Sequence, residues 1–185
     1  NTIQIHSLLG LVIGLLLVFR TNSAYDRWWE GRKQWGAMVN TSRNFAIKLN
    51  AMLPDSEKES KKLFRILSAN YVFAMKEHLR EGVKLEELED NEFLTHEELS
   101  RKRHLPNAIA SAMYTRLHRL YTSKVITGDQ LITIDGELKA FTDIIGACER
   151  IRNTPIPFSY NLFLKKFIFT YTLTLPFGLA YTFEF

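Results

Sequence analysis

The chain has 185 residues, 46% of them hydrophobic and 24% charged, with a formal net charge of +4. That length suits one domain, or a domain-sized fragment, with a proper core, and a lone cysteine, Cys148, excludes an internal disulfide and fits a reducing compartment. The isoelectric point near 9.2 invites a nucleic-acid reading, but the positive excess is small and largely flanks an apolar segment, where membrane topology explains it.

The mean hydropathy of -0.12 hides a segregation of charge. No Lys, Arg, Asp or Glu precedes Arg20, and only Lys165, Lys166 and Glu184 follow Arg152. Two apolar ends around a charged middle predict membrane segments flanking a cytoplasmic body. The chain starts at Asn1 without a signal-peptide pattern and stops at Phe185 within an apolar run, so both ends read as those of a fragment.

Ile3 to about Leu53 reads as one nearly continuous helix, ended by Pro54-Asp55. Crossing hydrocarbon takes about 20 residues, and the run to Phe19 falls slightly short of that. It also carries Gln4 and His6, polar residues tolerated where they face a bundle interior or a water path. Within it Leu11, Leu15 and Phe19 recur at i, i+4 and i+8 on one face. Spacing alone leaves that stripe facing lipid, a neighbouring helix or a pore. Arg20, Arg27, Arg32 and Lys33 follow, interleaved with Tyr25, Trp28, Trp29 and Trp35. Aromatics with a polar edge settle at headgroup level and basic residues collect on the cytoplasmic flank. Tyr25, Trp28 and Trp29 are therefore expected to be interfacial anchors rather than a base-stacking site. Asp26, Arg27, Glu30 and Lys33 stand within ion-pair reach along the same helix.

Ser56 to about Arg80 is a second helix, with Ser56 and Glu59 in the pattern of a capping box. Residues 82–98 form an acidic connector whose Leu85–Glu98 stretch lacks the glycine and alternating ligands of a calcium loop, and a solvated loop is expected. Pro106 opens a third helix, from Asn107 to about Lys124, and a fourth runs from about Gln130 to Arg152. Pro155-Ile-Pro157 ends it, because each proline biases the residue before it away from the helical region. Ile156 thus sits on a loop stiffened by two fixed φ angles, which by itself is an ordinary linker. Beyond it, 157–185 is apolar and aromatic. No strand pattern emerges, and the predicted fold class is all-α.

Enzymatic constellations are missing. His78, His104 and His118 have no second histidine one turn away, and His96-Glu-Glu98 is not a helical zinc motif. Cys148 has no His nearby in sequence and falls on an inward helical face. Nucleotide-binding glycine loops and the nucleophile elbow are lacking too. Neither a catalytic residue, a metal ligand set nor a cofactor is expected.

Two stretches carry a family resemblance. Phe19-Arg-Thr-Asn-Ser-Ala-Tyr-Asp-Arg-Trp-Trp-Glu-Gly-Arg32 and, well over a hundred residues later, Ala147-Cys-Glu-Arg-Ile-Arg-Asn-Thr-Pro-Ile-Pro-Phe-Ser-Tyr160 resemble the two signatures of the bestrophin ion channels, in their bacterial branch. The resemblance implies a helical homopentamer in the bacterial inner membrane around one axial pore. It maps the family's hydrophobic neck onto Leu11, Leu15 and Phe19 and the cytosolic aperture onto Ile156. It implies a single bestrophin-like domain over 1–185, with a pore-lining membrane helix at 3–22, a cytoplasmic helical region at 23–154 and further membrane helices over 157–185, the last of them truncated. The implied partners are other copies of the chain, membrane lipid and permeating inorganic ions, anions such as chloride by family habit, with cation selectivity left open; no nucleic acid. The calcium-binding acidic cluster of animal members would lie beyond Phe185. The competing reading is a membrane-anchored helical module that binds partners or signals without conducting.

Overall fold

The structure is a computed structural model that describes residues 2–80, 84–91 and 94–183. These fold as α1 (Thr2–Met52), α2 (Lys58–His78), a short 3-10 turn (Leu85–Glu87), α3 (His96–Ser100), α4 (Leu105–Thr122), α5 (Gly128–Asn153) and α6 (Phe158–Phe183). Among the described residues the one extended pairing is an isolated bridge between Asn91 and Leu94. The fold is all-α, as expected. Two compact units divide the chain, one made of 1–31 with 153–185, the other of 32–152.

The 32–152 unit is a helical bundle whose core follows the helical period. Phe45 and Leu49 from α1, Phe64, Leu67 and Tyr71 from α2, Ile109, Met113 and Leu117 from α4, and Leu138 and Phe141 from α5 are all buried. Their recurrence at three, four and seven residues gives each helix one apolar stripe. Ile134 joins them, and Trp35 packs against this core. Phe73, seven residues beyond the buried Ile66, is nevertheless exposed, with the Lys76 ammonium 5.4 Å from its ring centre.

Four aromatic rings organise the middle of the core. Phe45 meets Phe64 and Phe141 edge-on at centroid distances of 5.6 and 5.7 Å, and Tyr71 meets Phe141 at 5.0 Å, the geometry that ring quadrupoles favour. The Tyr71 hydroxyl donates to the Phe141 carbonyl at 2.8 Å. Burial, and then the charge on Glu149, push the Tyr71 pKa above its ordinary value, so the group stays a donor. Tyr71→Phe removes that bond while keeping the ring. It should lower unfolding free energy by only about 1 kcal/mol, because the Phe141 carbonyl lies inside α5, where a helix amide also serves it. Chemical denaturation measures this directly, and a loss of several kcal/mol would mean that the hydroxyl does more than this bond.

The capping box expected at Ser56 is not formed. Pro54 starts a turn, closed by Glu57 N–H donating to its carbonyl at 3.0 Å, so α2 begins later, with Glu57 at its N-cap and no side-chain cap bond. Ser60, one turn in, donates to the Glu57 carboxylate and accepts from Arg116 at 2.5 Å. A capping box appears at α3 instead, between Thr95 and Glu98. The acidic connector is also docked on one side rather than wholly solvated. The Asn70 side chain donates to the Glu89 carbonyl at 2.7 Å and accepts its N–H at 2.8 Å, while Leu88 is buried. Residues 82–83 and 92–93 of that connector, and residue 81 before it, lie outside the described residues.

The other unit pairs the first part of α1 with α6. His6, Leu9, Gly10, Ile13, Leu16 and Arg20 are half-buried and recur every three or four residues, one face of a helix. A Cβ on Gly10 would stand 3.1 Å from the Tyr171 hydroxyl, and one on Gly178 would stand 2.9 Å from the His6 ring; both glycines permit close approach. Tyr160 donates its hydroxyl to the Leu16 carbonyl at 3.1 Å. Helices in the plural were expected over 157–185, but α6 runs as one helix through Pro176. Among the described residues α1 is the one helix long and apolar enough to cross a membrane by length and composition.

Candidate functional site

The face of α1 turned away from its half-buried one carries Leu11, Leu15 and Phe19, 71, 55 and 55% exposed. Positions four residues apart on a helix lie nearly one above another, so the three side chains form a continuous apolar stripe that nothing in their own unit covers. Such a surface offers neither donor nor acceptor. Where the apolar run ends, Thr21 and Ser23 turn their hydroxyls back onto the Leu17 and Phe19 carbonyls at 2.9 and 3.0 Å, satisfying themselves within the helix.

One turn further, Tyr25, Trp28 and Trp29 are exposed and in mutual contact, with ring centroids 5.7 and 6.0 Å apart. Amphipathic rings gathered on an exposed helix just past an apolar run suit a boundary between water and lipid. Ile156 lies half-buried on the bend between α5 and α6. Arg27 donates to the Thr154 carbonyl, tying the end of the aromatic cluster to the loop that carries Ile156. Sequence reasoning sought partners for Arg27 along its own helix and had no means of finding one 127 residues away.

In the 32–152 unit the structure assembles a group that sequence spacing gave no hint of. His78 ends α2, His104 caps α4, and Glu149 lies in the last turns of α5. The Glu149 Oε1 atom is 2.7 Å from His78 Nε2 and 2.8 Å from His104 Nε2, and the two rings lie 4.3 Å apart. Burial works against the Glu149 charge, but hydrogen bonds from His104 and His78 outweigh it and hold the carboxyl below its usual range. Arg152 donates to the His78 carbonyl at 2.6 Å, pinning the end of α2 to α5. Here are two imidazoles and a carboxylate, converging on one point from three elements.

The whole chain, residues 1–185, matches the family described as bacterial/fungal bestrophin protein. A relative from Nostoc sp. named voltage-dependent anion channel-forming protein is 38% identical over 92% of this chain and 57% of its own length. A relative of the same name from Synechocystis sp. is 37% identical over 94% of this chain and 58% of its own. This chain therefore spans somewhat more than half of those relatives. Crystal structures of two mutants of a bacterial bestrophin homologue from Klebsiella pneumoniae superpose with TM-scores of 0.88 and 0.86 at 25 and 26% identity, over 96 and 95% of this chain and 66 and 64% of theirs.

Proposed function

The chain belongs to the bacterial and fungal bestrophin family, and from that premise we propose that it builds the ion path of a pentameric membrane channel that conducts anions. In this reading α1 crosses the bacterial inner membrane over 3–22 and lines the axis. Residues 23–154 form the cytoplasmic part, and 157–185 return to the membrane. Tyr25, Trp28 and Trp29 sit at the headgroup boundary.

The carrying observation is the uncovered stripe of Leu11, Leu15 and Phe19, on the face of α1 opposite its half-buried one. Five copies around an axis turn each position into an apolar ring. A narrow apolar tube holds water and ions poorly, and a slight widening hydrates it, so such rings gate by dewetting. Ile156, on the loop between two prolines, supplies a second apolar constriction at the cytosolic mouth. No reacting group is needed; the work is passive conduction.

Anions are proposed on the strength of the relatives' names. The neck carries no charge, so discrimination falls to charges and helix ends outside it. Planar-bilayer recording of the purified protein under a chloride-salt gradient tests both levels of the proposal. A current reversing toward the chloride equilibrium potential is expected. Reversal toward the cation potential would overturn the anion assignment. Silence from folded pentamers at all voltages, with calcium varied, would overturn conduction and leave a non-conducting interaction module.

A further inference from the structure

We propose that His78, His104 and Glu149 bind one divalent transition-metal ion of the zinc class. The proposal stands on the geometry of the 32–152 unit and does not depend on whether the protein conducts.

All three ligand atoms lie within 4.8 Å of one another, and each residue comes from a different rigid element. Tetrahedral zinc with bonds of about 2.0–2.2 Å sets its ligand atoms about 3.3 Å apart. The two contacts of Glu149 Oε1, at 2.7 and 2.8 Å, need to open only slightly for an ion to enter between them. Side-chain rotation suffices, because the three side chains are 24, 29 and 31% exposed. That exposure also leaves room for water as the fourth ligand.

The donor set chooses the metal. Neutral imidazole suits zinc, copper, nickel and iron, whereas calcium and magnesium take oxygen ligands. Two imidazoles with one carboxylate are therefore selective against the hard cations. Entry displaces the protons that now bridge the rings to Glu149, as binding at imidazole and carboxylate requires. At His104 the ring proton then resides on Nδ1, which at present accepts the Asn107 N–H at 3.2 Å. Loading thus trades one long cap bond for a metal bond. The ion would join the end of α2, the start of α4 and the last turns of α5.

Zinc alone is the probe. The purified protein is titrated with Zn2+ against a fluorescent chelator, and its thermal unfolding is followed with and without the ion. One zinc per chain and a rise in Tm are expected, with no response to Ca2+. His104→Asn keeps a strong N-cap while deleting the ligand, and His78→Gln and Glu149→Gln delete the others. Each should weaken zinc binding by more than the roughly 10–100-fold that loss of a mere supporting partner costs, and should remove the Tm rise with the circular dichroism unchanged. Absence of stoichiometric zinc in the unaltered protein would overturn the site, as would undiminished binding in His104→Asn and His78→Gln; the three groups would then be a hydrogen-bonded triad only. Preference for Ca2+ would overturn the assigned metal class.

Discussion

Alanine at Leu11, Leu15 and Phe19 together is expected to raise single-channel current and basal leak by about tenfold, the effect of taking about 1.4 kcal/mol from a conduction barrier. The three side chains form an exposed stripe on α1. In the proposed pentamer the stripe becomes three apolar rings one turn apart, which would exclude water by size and by lack of partners, so that the barrier to an ion would be its unreplaced hydration. Truncation to the β-carbon widens all three rings at once without adding a polar group. The helix is not put at risk, because alanine is the best helix former and the deleted atoms contact little within their own unit. Planar-bilayer recordings of the triple mutant read the outcome beside the unaltered protein. An unchanged current would remove these residues from the conduction path and place the stripe against lipid or another helix.

Phe141→Ala is expected to be the most damaging single truncation in the 32–152 unit. Phe141 is fully buried and takes edge-on contacts from both Phe45 and Tyr71. Deleting a buried phenylalanine costs about 3–5 kcal/mol through lost transfer energy and the cavity left behind. Domains have only about 5–15 kcal/mol of stability in total, so much of the protein should be unfolded or degraded. Denaturation midpoint and yield of folded protein report this. A midpoint within experimental scatter of the unaltered protein would mean that the aromatic cluster does not organise this core. Phe73→Ala serves as the control, since that ring is exposed and its loss should change little.

How much could be read in advance depended on whether the determining interaction was local. Helix positions and inward faces were legible, because Leu63, Leu67, Tyr71, Ile109, Met113, Leu117 and Phe141 follow the period that burial imposes on a helix. The break at Pro155-Ile156-Pro157 was legible because proline acts on its immediate neighbour. The stripe of Leu11, Leu15 and Phe19 was legible as a face, though not what it faces. What escaped was long-range or conditional. The three-residue spacing of Ser56 and Glu59 matches a capping box, but the turn begun at Pro54 delays the helix and leaves the pattern unused. Asn70 holding Glu89, Arg27 reaching Thr154 and His78 meeting His104 at Glu149 each join segments that only the tertiary fold brings together. A search for histidines one turn apart misses a pair delivered by two different helices.

The bond from Arg27 to the Thr154 carbonyl places an unusual burden on one long side chain. Neither of the two proposed narrow points contains it, yet it fastens the chain segment bearing one of them to the helix bearing the other. Exchange for lysine would preserve charge and the hydropathy profile, and so would look innocuous in any inspection of composition. It would nevertheless lose the planar fork of donors by which a guanidinium holds a carbonyl in a fixed direction. Damaging substitutions in such a protein need not fall on an ion-facing surface; the lashings that hold such a surface in register are equally exposed to error.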